Sequence, residues 1–159
     1  MPAKTAARAK IIKAFFSSPL EAKNEFDGLW SVDAKEFANF LANSRKNSSA
    51  SQSQIRPENT RYFLRIEGAF CDELYFVDGG DFTMSAGALK KLETTKDRIF
   101  YSVVLNREVP GGIRLNQGAI LSMYRAEKRL VLEFPDHKLT FYPESEKPAA
   151  LAERYGVTQ

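Results

Sequence analysis

Near residue 60 the hydrophobic period of this chain changes from that of a helix to that of a strand, and the change limits the folds open to it. Before it, apolar residues recur three and four apart; after it, they alternate. Helices gathered first and strands afterwards, with no regular interleaving, predict an α+β chain rather than a parallel α/β one. At 159 residues the chain has the length of one domain, and its twelve Phe are suited to a packed core.

Residues 6–16 place Ala7, Ile11, Ile12, Phe15 and Phe16 on one helical side, with Lys10 and Lys13 opposite. Ser18-Pro19-Leu20-Glu21 reads as a helix start, with Ser as N-cap and Pro in the first turn, predicting a second short helix that ends near Gly28. Asp33-Ala34-Lys35-Glu36 repeats the cap pattern and opens a third helix. Its inner face is Ala34, Phe37, Ala38 and Leu41, with Phe40 at the edge. Residues 43–57 are rich in Ser, Asn and Gln, contain no acid and lose all periodicity, which predicts a flexible basic linker or loop.

From residue 60, Tyr62, Leu64 and Ile66 alternate with Arg61, Phe63 and Arg65. Leu74–Val77 and Phe82–Met84 flank Asp78-Gly79-Gly80-Asp81, a hairpin signal because glycine accepts positive φ. Ser85 is positioned to cap a short helix through Leu92. Strands follow at Ile99–Leu105, Ile113–Leu115, Ala119–Arg125, Arg129–Phe134 and Lys138–Tyr142, with short turns that imply antiparallel pairing. Lys147-Pro148 opens a terminal helix that Gly156 stops. The expectation is an N-terminal helical segment (1–42), a linker (43–57) and an antiparallel meander of about five to seven strands with a short C-terminal helix (58–159), together forming one folding unit.

Rare residues exclude several chemistries. A single Cys, Cys71, rules out a disulfide within the chain, and with a single His, His137, leaves too few soft ligands for a zinc site. His137 lies in Phe134-Pro135-Asp136-His137-Lys138, read as a solvated turn between strands. Cys71 reads as a small hydrophobe whose acidic neighbours raise its thiol pKa. Neither Gly pair has phosphate-loop or dinucleotide spacing. No apolar run reaches the about 20 residues that span a bilayer, and a cytoplasmic location is expected. No cofactor is implied, and no motif is specific to a family.

What remains is a basic and aromatic surface. With the apolar alternates inward, Arg61, Phe63 and Arg65 face out on one strand, Arg129, Lys138 and Tyr142 on the last hairpin, and Arg125 lies nearby. Arg45, Lys46 and Arg56 add positive charge from the linker. Cations attract phosphate and exposed rings stack on bases, so these ten residues are candidate contacts for nucleic acid or a nucleoprotein in a non-catalytic binding module. The same rings, or an edge strand, suit a protein partner, which makes an adaptor or inhibitor the first alternative. The second is a small metal-dependent enzyme built on Asp72, Glu73, Asp78 and Asp81. Charge is uneven: residues 1–57 hold nine Lys/Arg and five Asp/Glu, and residues 58–159 hold fourteen and fifteen. Nonspecific attraction therefore belongs mainly to the first part.

Overall fold

The computed structural model describes residues 3–17, 20, 21, 23–46, 61–76, 82–109 and 113–155. Their elements, in chain order, are α1 (Ala3–Ser17), β1 (Gly28–Val32), α2 (Ala34–Lys46), β2 (Arg61–Glu67), β3 (Phe70–Phe76), β4 (Phe82–Thr94), β5 (Arg98–Val109), β6 (Ile113–Tyr124), β7 (Arg129–Glu133), β8 (Lys138–Pro143) and α3 (Pro148–Tyr155). The α+β composition, the antiparallel pairing and a helix at each end are as expected. The sheet is larger than expected: eight strands close into a barrel in sequence order.

Closure depends on a strand that the sequence pattern does not announce. β1 pairs with β2 on one side, Trp30 opposite Leu64 and Ser31 opposite Phe63. On its other side it pairs with β8, Ser31 opposite Tyr142 and Val32 opposite Phe141. Two further expectations fail. Described residues between Leu20 and Asp27 form no helix, only a turn. Ser85–Leu92, read as a short helix, lies within β4, because pairing with β3 on one side and β5 on the other supplies its backbone partners. The segments expected at 113–115 and 119–125 belong to one long strand, β6, which ends at Tyr124 and is paired with β5 from Arg98–Tyr124 to Val109–Ile113.

The described residues fall into two compact units. One comprises the chain ends, where α1 and α3 pack together. In it Ile12, Phe15, Phe16 and Leu151 are buried, whereas Ile11 is exposed. Arg154 forms a two-pronged pair with Glu146, at 3.1 and 2.6 Å. The other unit, residues 22–143, is the barrel with α2.

An eight-stranded barrel is just wide enough to be filled by side chains or to hold one small ligand. Here the interior is filled by Trp30, Leu64, Ile66, Leu105, Leu121, Leu132, Leu139 and Phe141, among others. α2 lies at the upper mouth. Asp33 caps it as expected, its Oδ1 accepting the Glu36 N–H at 2.9 Å. Glu36 turns to β8 and accepts from the Thr140 N–H and, at 3.2 Å, from its hydroxyl. Phe37 is thereby held buried against Tyr62, with ring centroids 5.3 Å apart. The lower mouth is formed by the segment before β1, the turns at Gly68, Thr95–Asp97 and Arg125–Lys128, and the end of β8.

Gly87 and Gly118 both lie in the barrel wall, in different surroundings. A Cβ on Gly87 would stand 2.7 Å from Val103 Cγ2 and 3.1 Å from the Val104 carbonyl oxygen, whereas one on Gly118 meets nothing within 4 Å. Gly87→Ala is expected to destabilise the fold by about 1–3 kcal/mol through overpacking. Gly118→Ala is expected to be neutral or to stabilise by about 0.4–1 kcal/mol through the unfolded chain. Urea unfolding of both variants checks the contrast; equal losses would contradict the packing described.

Candidate functional site

Strand register assigns Arg61, Phe63, Arg65, Arg129, Lys138 and Tyr142 to the outer face of the barrel, opposite the buried alternates. They do not form one surface. Phe63 is 0% exposed, with the Arg61 guanidinium 4.7 Å from its ring centroid. β2 is thus buried on both faces at Phe63, and the ring proposed for stacking is unavailable. Arg65 lies 3.5 Å from Glu67, its side chain 11% exposed, and is opposite Asp72 on β3. Burial raises the Asp72 pKa most strongly, with Arg65 opposing it and Glu67 adding to it. Arg125 is a clamp: its guanidinium donates to the carbonyls of Thr95 and Lys96 at 2.8 and 3.0 Å and to Glu25 at 3.3 Å. Lys138 is opposite Glu133, and Tyr142 is exposed. Arg45 and Lys46 belong to the last turn of α2 rather than to a linker. Arg56, like most of the 43–57 segment, lies outside the described residues.

One cluster does assemble, around Arg129. Arg98, Tyr124 and Arg129 occupy one register row across β5, β6 and β7. Their row fixes the side chains on the same outer face, one strand spacing apart. The Arg129 guanidinium lies 4.2 Å from the Tyr124 ring centroid, and that of Arg98 lies 5.6 Å from it. Arg98 also covers Phe100, at 4.4 Å, and donates to the Tyr124 hydroxyl at 3.1 Å. Neither arginine has a carboxylate partner among the described residues. Stacking uses the flat face of a guanidinium and leaves most of its N–H edge for an incoming anion. The rings also fix both side chains, reducing the entropy lost on binding. Arg98, Phe100 and Tyr124 were not anticipated. Their signal is the Arg-x-aromatic alternation of Arg98-Ile99-Phe100, the same pattern as Arg61-Tyr62-Phe63.

The acidic residues do not gather. Asp72 and Glu73 are neighbours on β3 and so point to opposite faces, Asp72 outward and Glu73 into the barrel. Asp78 and Asp81 lie outside the described residues. Among the described residues no three His, Cys, Asp or Glu side chains are placed to share a metal ion. Glu73 is fully buried and accepts from the hydroxyls of Tyr62 and Ser85. Cys71, also inside, is buried, and its thiol pKa is pushed far up by burial first and then by Glu73 and Asp72. It is the inert small hydrophobe that was expected. His137 differs from expectation: its ring is stacked between Phe40 and Phe134, with centroid distances of 4.0 and 4.7 Å. Its Nδ1 lies 2.7 Å from Asp136 Oδ1. Comparison with protein-family models, curated proteins and solved structures yields no match.

Two carboxylates generate predictions. Tyr62→Phe removes a donor from buried Glu73 and is expected to cost about 1–3 kcal/mol in urea unfolding. A loss below experimental error would contradict this role. Asp27 is subject to opposing effects: burial raises its pKa, but backbone N–H groups of Asn24, Gly68 and Lys23 prevail and hold it below the usual carboxylate value. A group depressed in the folded state stabilises above its unfolded pKa of about 3.9 and loses that contribution as pH falls through its folded value. The stability gap between wild type and Asp27→Asn is therefore expected to be full near neutral pH and to narrow below about pH 4. Thermal unfolding across pH 2–7 measures this, and a gap that is constant or widens in acid would refute it.

Proposed function

We propose that the chain is a non-catalytic binding module that engages an acidic or nucleoprotein partner through the barrel's outer wall, centred on Arg98, Tyr124 and Arg129. The observation that carries this reading is the pair of guanidinium groups held against one tyrosine ring with no carboxylate neighbour among the described residues. Natural charge pairing would be the simplest use of two arginines on a sheet, as at Arg65 and Glu67. Here the charges are kept together and oriented, an arrangement that suits phosphate or carboxylate groups supplied by another molecule. Phe100 and the exposed Tyr142 add aromatic surface on β5 and β8. This reading retains Arg129 and Tyr142 from the sequence expectation, adds Arg98, Phe100 and Tyr124, and gives up Phe63, Arg65 and Arg125.

A second reading, a protein-binding adaptor or inhibitor without nucleic-acid contact, draws on a different part of the wall. Phe70 is 63% and Val104 55% exposed. With Ala88 between them and Gly118 beyond, they form one register row across β3, β4, β5 and β6. Each barrel strand is paired on both sides over part of its length, but the β6–β7 pairing covers only Ile120–Tyr124 of β6, so closure does not by itself exclude addition of a partner strand.

The two readings separate in a titration with a single-stranded oligonucleotide. Two phosphate contacts on a single strand predict about a sevenfold loss of affinity between ~50 and ~200 mM salt. Arg98→Ala with Arg129→Ala is expected to weaken binding and flatten that salt dependence, whereas Phe70→Ser leaves both unchanged. Binding that is undetectable, or indifferent to salt and to the double substitution, sinks the nucleic-acid version. Salt-sensitive binding to polyglutamate alone would assign the same residues to an acidic protein.

A further inference from the structure

The lower mouth of the barrel contains a recess that the outer-wall reading does not use. It has a volume of about 260 Å³ and is lined by Glu25, Phe26, Asp27, Gly28, Leu29, Trp30, Lys128 and Pro143. Its apolar part is Phe26, Leu29, Trp30 and Pro143. Trp30 is fixed there, its indole N–H donating to the Phe26 carbonyl at 3.0 Å and its ring 6.0 Å from that of Phe26.

Three of the lining residues carry a charge, and two of those charges are already satisfied. Glu25 pairs with Arg125 at 3.3 Å. Asp27 accepts backbone N–H groups from Lys23 and Asn24 at 2.9 Å each and from Gly68 at 3.0 Å. Lys128 has no carboxylate or other side-chain partner among the described residues. Its backbone is also unusual: φ is 48°, the sole positive value at a non-glycine position among the described residues. Glycine or asparagine would occupy that conformation with less strain. The left-handed residue closes the four-residue turn between β6 and β7; that the position holds a lysine leaves an unpaired positive charge beside the recess.

We propose that this recess binds a small organic carboxylate, its apolar body against Trp30, Leu29 and Pro143 and its carboxylate on the Lys128 ammonium. The volume suits one small ring or a short acyl chain and excludes a macromolecule. A cationic ligand is disfavoured, because both acids that could receive it are engaged within the protein.

The chain contains one tryptophan, and it lines the recess, so its fluorescence reports occupancy directly. Benzoate is the probe, with benzamide and benzylammonium as its neutral and cationic counterparts. Benzoate is expected to change the emission saturably, and the two counterparts to bind at least tenfold more weakly. Lys128→Gly and Lys128→Asn are expected to unfold at the same or a higher temperature than wild type and to bind benzoate at least tenfold more weakly. Lys128→Arg is expected to retain binding. A residue serving only the turn would not separate stability from affinity in this way. The Arg98→Ala, Arg129→Ala protein is expected to bind benzoate as wild type does, which keeps this proposal distinct from the outer-wall reading. Benzylammonium binding as tightly as benzoate, unchanged affinity in the glycine and asparagine variants, or no saturable response to benzoate, phenylacetate or hexanoate would each overturn the proposal.

Discussion

Closure of the wall by β1 is the constraint on which the rest of the barrel depends. Five residues, Gly28–Val32, pair with β2 and with β8 at once and so remove both remaining edges of an otherwise open sheet. Once the ring is shut, every strand has an inside and an outside, and period-two alternation sorts side chains between them. Trp30 and Val32 join the interior apolar set, and Glu73 is committed to partners within the barrel. The outer wall and the lower mouth are then the surfaces of this unit on which recognition can occur.

Those surfaces treat charge differently from the interior. Inside, a carboxylate is tolerated because two hydroxyls converge on it, in keeping with the high cost of an unsatisfied buried polar group. At the lower mouth, Arg125 and Asp27 have structural uses, joining turns through backbone groups far apart in sequence. On the outer wall, Arg98 and Arg129 are supported by rings, with no opposite charge paired to them among the described residues. Cations supported by rings hold their geometry without being neutralised, which distinguishes them from Arg65 and Arg125, each paired with a carboxylate.

The parts of this architecture that rest on local signals were legible in the sequence. The last hairpin, the terminal helix and the cap at Asp33 follow from short-range period and turn chemistry, and each is present. β1 was not legible: Leu29-Trp30-Ser31-Val32 is too short to establish a period and lies between stronger helix signals. Ala86–Leu92 is rich in residues with high helix propensity, and only pairing on both flanks makes it a strand. Candidate contacts were legible to a smaller degree, because alternation identifies which face a residue occupies but not what else covers that face. Phe63 faces outward and is nevertheless buried, while Arg98 stands one residue before a run that reads as core and carries no signal beyond its alternation with Phe100. His137 sits in the turn that was read, but its stacking depends on Phe40, from a helix nearly a hundred positions earlier.

The bridge from Glu36 to Thr140 also bears on the order in which this unit can assemble. The two residues are 104 positions apart, whereas the hairpins from β2 to β8 join strands that are neighbours in sequence. Neighbouring strands can find each other quickly; a contact of such long range bears a large loop-closure entropy and contributes only after the intervening meander exists. α2 and β1 are therefore expected to arrive together and late, after the rest of the wall is built. Until they do, the molecule is an open sheet whose two edges and apolar inner face remain exposed to water, and the speed of that final step sets how long the protein is vulnerable to aggregation.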